Sequence, residues 1–146
     1  MKIFIDADAC PVTKEAVEIA RMYNIECFIV CDTAHEIKTD YGKVLTVSQG
    51  SDSADYKIAN TISKGDIAVT QDYGLAAVVL SRSAYAINQD GLVYDENNID
   101  ALLLSRYENG KIRRSGGRHK GPKKRTPDKT ETFINNLSKL IEKVQQ

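Results

Sequence analysis

Lys2-Ile3-Phe4-Ile5-Asp6-Ala7-Asp8-Ala9-Cys10-Pro11 is the stretch on which the fold turns. A short apolar run ends abruptly in two carboxylates, and a proline then opens the next segment. An apolar run of this length reads as a buried central strand. Asp6 then stands at the strand's C-terminal end, the end at which open α/β sheets bind ligands.

Working outward, strand and helix patterns alternate. Pro11 fits the first turn of a helix, and Val12, Ala16, Ile19, Ala20 and Tyr23 recur at helical spacing over residues 11–23. Ile25–Cys31 reads as a second strand, residues 32–42 as a loop and Lys43–Ser48 as a third strand. Residues 49–55 form a turn that Ser51 or Asp52 can cap, with Asp55 in the first turn of the following helix. Ile67–Thr70 is a fourth strand with Asp72 directly after it, Tyr73–Ser81 a helix, Ala84–Ile87 a fifth strand, and Leu92–Tyr94 a small addition. Ile99, Leu102 and Leu103 mark a helix between Glu96 and Tyr107. The alternation predicts a three-layer α/β/α sandwich around a mostly parallel sheet of about five strands.

The chain of 146 residues reads as a single domain spanning 1–146. Its composition, 42% hydrophobic and 27% charged, is that of an ordinary globular protein, and no apolar run is long enough to span a membrane. Three cysteines, Cys10, Cys27 and Cys31, form no CxxC pair, which argues against a disulfide framework or structural zinc and for a reducing cytoplasm. Cys27 and Cys31 share one strand face and read as packing residues. His35 and His119 form no ligand pattern, and Cys10 reads as a structural thiol.

The net charge of zero hides an asymmetry. Residues 1–110 carry 9 Lys and Arg against 17 Asp and Glu, whereas residues 111–125 carry 8 cations and no acid. Residues 110–127 therefore read as a flexible basic arm. A final helix over 128–145 presents Phe133, Leu137, Leu140, Ile141 and Val144 for docking on the body.

In a parallel sheet, Asp6, Asp8, Asp52, Asp55 and Asp72 all fall near one edge. Carboxylates so gathered either hold protons or hold a cation. Oxygen donors without His or Cys suit Mg²⁺ or Mn²⁺, and such an ion supports phosphodiester displacement. Asp6 and Asp72 each follow an apolar strand, where a charge is expensive unless used. Asp8 can instead cap the first helix, Asp52 can cap the second, Asp55 can offset the helix dipole, and Asp90 sits in a turn. Arg113, Arg114, Arg118, Lys120, Lys123, Lys124 and Arg125, interleaved with glycines, offer a surface for nucleic-acid phosphates.

Asp6-Ala7-Asp8-Ala9-Cys10-Pro11, Ser53-Ala54-Asp55, Gly65-Asp66-Ile67-Ala68-Val69-Thr70-Gln71-Asp72 with Leu75-Ala76, and Gly116-Gly117 in a basic segment resemble the YaiI/YqxD family of bacterial proteins. The resemblance covers nearly the whole chain. That family is similar to PIN-domain-like nucleases, which implies an α/β/α sandwich with an acidic metal site. By that likeness Asp6 matches the first-strand acid, Asp55 the acid opening a helix, and Asp72 the acid after the fourth strand. Asp8 and Asp52 match family positions with no role to carry over.

These readings converge on a metal-dependent nuclease acting on RNA or single-stranded nucleic acid. Two alternatives stand beside it. One is an RNA-binding module without turnover. The other is a phosphatase of the haloacid dehalogenase type, using Asp6 of the Asp6-x-Asp8 pair as nucleophile. The second is weakened by Cys10, where that motif usually has Thr or Val.

Overall fold

Ile3, Phe4 and Ile5 have almost no solvent exposure, because β1 (Lys2–Asp6) lies near the middle of a sheet covered on both faces. The computed structural model describes residues 1–8, 10–32, 37–48, 53–105 and 125–146. The elements after β1 are α1 (Thr13–Met22), β2 (Glu26–Asp32), β3 (Lys43–Val47), α2 (Ser53–Thr61), β4 (Ile67–Val69), α3 (Tyr73–Ser81), β5 (Tyr85–Ile87), β6 (Val93–Tyr94), α4 (99–105) and α5 (Pro127–Gln145).

The sheet has six strands in the order β3-β2-β1-β4-β5-β6. All neighbours are parallel except β5 and β6, which are antiparallel. The expected sandwich is therefore present, with β6 completing the five parallel strands. The chain winds outward from β1 to β3 and then returns beside β1 to start β4. The gap between β1 and β4 is thus the switch point, where doubly wound sheets bind their ligands outside the strand ends.

Alternation along the strands divides the core. Ile3, Ile5, Cys27, Ile29, Cys31, Ile67, Val69 and Ile87 face α1 and α5. Phe4, Val30, Ala68 and Ala86 face α2, α3 and α4. Cys27 and Cys31 are buried packing residues, as expected, and burial pushes the Cys27 thiol up to about 12.

Helix α1 buries Ala16, Val17, Ile19 and Ala20 and stops at Asn24, whose φ of 55° lies in the left-handed region. Its start departs from expectation. Pro11 and Val12 form a turn, and the helix begins at Thr13 without a side-chain cap. Asp8 accordingly does not cap it, and its carboxylate instead accepts from the Asp32 N–H at 3.3 Å. Helix α5 docks as expected, burying Phe133, Leu137, Leu140 and Ile141 beside α1. Each such side chain contributes roughly 1.5–3 kcal/mol relative to exposure.

At the opposite edge of the sheet, the buried Asp66 carboxylate accepts from the Lys2 and Ser63 backbone N–H groups, each at 2.9 Å, and so ties β1 to the turn before β4. No helix among the described residues is long and apolar enough to cross a membrane.

Candidate acidic site at the switch point

Asp6 has the same strand parity as Phe4, so its side chain leaves β1 on the α2–α3 face. Thr70, directly after β4, is 1% exposed and on that same face. Its hydroxyl donates to Asp6 Oδ2 at 2.9 Å and accepts from the Asp72 N–H at 3.0 Å. The Thr70 carbonyl accepts from the buried Tyr94 hydroxyl at 3.1 Å. Tyr94 in turn meets the Tyr73 ring edge-on, with centroids 6.1 Å apart. The residues after β4 are therefore held from both sides.

Asp55 comes from the first turn of α2, and its side chain hydrogen-bonds with Asp6. Burial raises the Asp6 pKa above its ordinary value; the Thr70 hydrogen bond works against this, the Asp72 and Asp8 charges add to it, and the Asp55 hydrogen bond opposes it. Burial and the neighbouring Asp72 and Asp8 charges therefore all disfavour the ionised form of Asp6.

Asp72 has a second task. It is the N-cap of α3, its Oδ1 accepting from Gly74 N–H at 2.8 Å and Leu75 N–H at 3.1 Å. An aspartate directly before a Tyr-Gly-Leu-Ala-Ala run is a start signal that sequence reading could have used.

Of the five expected acids, Asp6, Asp55 and Asp72 meet at this edge. Asp8 is turned toward β2, although its charge still acts on Asp6. Asp52 lies outside the described residues, as do Arg113, Arg114, Arg118, Lys120, Lys123, Lys124, His35 and His119. Arg125 is described, and its guanidinium donates to Asp90 at 2.6 Å, to the Gln89 carbonyl at 2.7 Å and to Thr130 at 3.2 Å. That network fixes the start of α5 to the β5–β6 turn and confirms the structural reading of Asp90. Sequence reading missed Thr70; a polar residue ending an apolar strand was its only signal.

Among the described residues, no three His, Cys, Asp or Glu side chains form a group that could hold a metal ion. The carboxyls of Asp6 and Asp55, which lie against each other, nevertheless fit Mg²⁺ or Mn²⁺ by donor type. Mg²⁺ is commonly held through one or two carboxylates while keeping several waters.

A shallow groove of about 300 Å³ adjoins these acids, lined by Asp55, Tyr56, Ala59, Asp72, Leu75 and Val78 among others. A wider cleft of about 890 Å³ lies on the other face, between α1 and residues 37–40. Its size does not make it the better candidate. Its two carboxylates, Glu18 and Asp40, are exposed and paired with Arg21. Cys10 lines it, but burial raises that thiol, so it is a poor nucleophile.

Fold and site together define a doubly wound α/β protein with an acidic cleft at its switch point. Residues 4–143 match the family described as "Uncharacterized BCR, YaiI/YqxD family". The chain is 48% identical to a UPF0178 protein of Exiguobacterium sibiricum, over 97% of this chain and 96% of the relative. It is 49% identical to a UPF0178 protein of Clostridium kluyveri, over 97% and 93%. With that of Clostridium tetani it shares 44% identity over the full length of both. This chain belongs to the YaiI/YqxD family. No solved structure matches it.

Proposed function

We propose that this chain is a divalent-cation-dependent nuclease that hydrolyses phosphodiester bonds in RNA or single-stranded nucleic acid. The observation that carries the reading is Asp6, a half-buried carboxyl with a raised pKa at the switch point, bonded to Thr70 and Asp55 and repelled by Asp72. Acids whose pKa is shifted by burial and by neighbouring charges in a cleft are candidates for sites that bind or react.

In this reading Asp6 and Asp55 present the oxygens that hold Mg²⁺ or Mn²⁺. Asp72 adds charge from the cap of α3. Thr70 keeps the Asp6 carboxyl in one orientation. When bound, the cation would stabilise the oxyanions of phosphoryl displacement and favour ionisation of water. The cations at 113–124 supply the attraction for phosphates that the acidic body lacks, Arg125 being held by Asp90 and Gln89.

The test is cleavage of mixed RNA substrates with Mn²⁺ by wild type and by Asp72→Asn. Asparagine is as good a cap as aspartate, so the substitution removes charge and leaves the helix start. Loss of cleavage in the variant supports the reading, no cleavage by wild type overturns it, and equal cleavage in both takes Asp72 out of the site.

A further inference from the structure

Tyr56 is 72% exposed although it follows Asp55 directly in α2. It lines the groove of about 300 Å³ together with Val78, itself 38% exposed, and the buried Leu75. Asp55 and Asp72 line the same groove. Tyr56, an apolar floor and two of the switch-point acids therefore belong to one continuous surface.

We infer that this groove is a subsite for one unstacked nucleobase of a single-stranded substrate, with Tyr56 as the stacking platform. The inference rests on the nuclease reading above and adds to it the part of the substrate that lies beside the phosphate. Three observations select the occupant. A groove of this size lies at the small end of ligand sites, which suits a single base rather than a longer segment. Its carboxylates exclude an anion, so phosphates stay at the cation held by Asp6 and Asp55. The base, neutral at pH 7, is the part of the chain that can enter. Its π-face then meets the Tyr56 ring, a contact tolerant of sequence. Bases in a duplex are already stacked on their neighbours, so the subsite selects single strands or splayed loops.

The test uses a short single-stranded RNA carrying one 2-aminopurine, with Ca²⁺ in place of Mn²⁺, and the full chain as wild type, Tyr56→Phe and Tyr56→Ala. Wild type and Tyr56→Phe are expected to bind and to change the 2-aminopurine fluorescence. Tyr56→Ala is expected to lose about ten-fold or more in affinity. Its salt dependence should stay unchanged, because stacking releases no counterions. An RNA of the same length that is abasic throughout should bind all three proteins with equal, reduced affinity. Binding of Tyr56→Ala within about two-fold of wild type overturns the subsite. So does tighter binding of the abasic RNA, or no binding by wild type. Cleavage with Mn²⁺ is scored separately. Fluorescence dependent on Tyr56 without cleavage removes the nuclease reading and keeps the subsite, whereas cleavage indifferent to Tyr56→Ala does the reverse.

Discussion

Thr70 Oγ1 stands 2.9 Å from Asp6 Oδ2 and 3.0 Å from the Asp72 backbone nitrogen, so one buried hydroxyl joins the end of β1 to the cap of α3. It satisfies a donor and an acceptor at once. Thr70→Val keeps the shape and deletes both bonds. The expected loss is about 1–3 kcal/mol of stability, read by urea unfolding, with Thr70→Ser close to wild type. Unchanged stability in Thr70→Val would show that the hydroxyl is dispensable.

Asp72 combines a cap with a charge, and substitutions separate the two. Asp72→Ala is expected to lower stability by about 1 kcal/mol through loss of the cap, whereas Asp72→Asn leaves it nearly unchanged. Both should lose most nuclease activity, because both remove the charge. Thermal unfolding and RNA cleavage run on the same preparations check this division. Activity retained in Asp72→Asn but lost in Asp72→Ala would assign the residue a purely structural role.

The raised pKa of Asp6 has a definite sign. The folded state holds this proton more tightly than the unfolded state, whose carboxyl titrates near the ordinary 3.8. The resulting stability is present below that value and is lost as pH rises through the folded pKa. In chelator, Asp6→Asn is therefore expected to gain in Tm relative to wild type as pH climbs from about 4 to 7. A difference that is flat with pH, or that favours wild type at pH 7, contradicts this.

How much of this could be read from residues alone follows from how local each signal is. Ile3–Ile5 and Ile67–Val69 are short apolar runs that only a sheet buried on both faces accommodates, so Asp6 and Asp72 stood out as charges at strand ends. Helix α5 was legible from its stripe of Phe133, Leu137, Leu140 and Ile141. The start of α1 was not. A proline fits a first helical turn, but it fits the preceding turn equally well, and no side chain there announces the boundary. Asp8 reads from the sequence as a ligand beside Asp6 or as a cap of the nearby helix; its bond to the Asp32 N–H, 24 residues away, gives no local signal. Thr70 was missed for the same reason, since its bond to Asp6 spans 64 residues. Asp52 and the cations before Arg125 lie outside the described residues.

Docking of α5 depends on a glycine. Gly91 has φ of 90°, and a Cβ there would stand 2.9 Å from the Thr132 carbonyl oxygen and 3.0 Å from Asn136 Nδ2. The Asn136 side chain donates to the Gly91 carbonyl at 2.8 Å. Gly91→Ala combines a strained backbone with overpacking and is expected to destabilise by about 1–3 kcal/mol, measured by urea unfolding. A change within about 0.5 kcal/mol would mean that α5 shifts freely on the turn.

The central claim is that Asp6 and Asp55 hold a divalent cation, and titration calorimetry with Mn²⁺ tests it most directly. Wild type is expected to give a saturable binding heat with Mn²⁺. Asp6→Asn, folded and at the same concentration, is expected to give none. Equal heats in wild type and Asp6→Asn, or no heat in wild type, would contradict the assignment of this edge as a cation site.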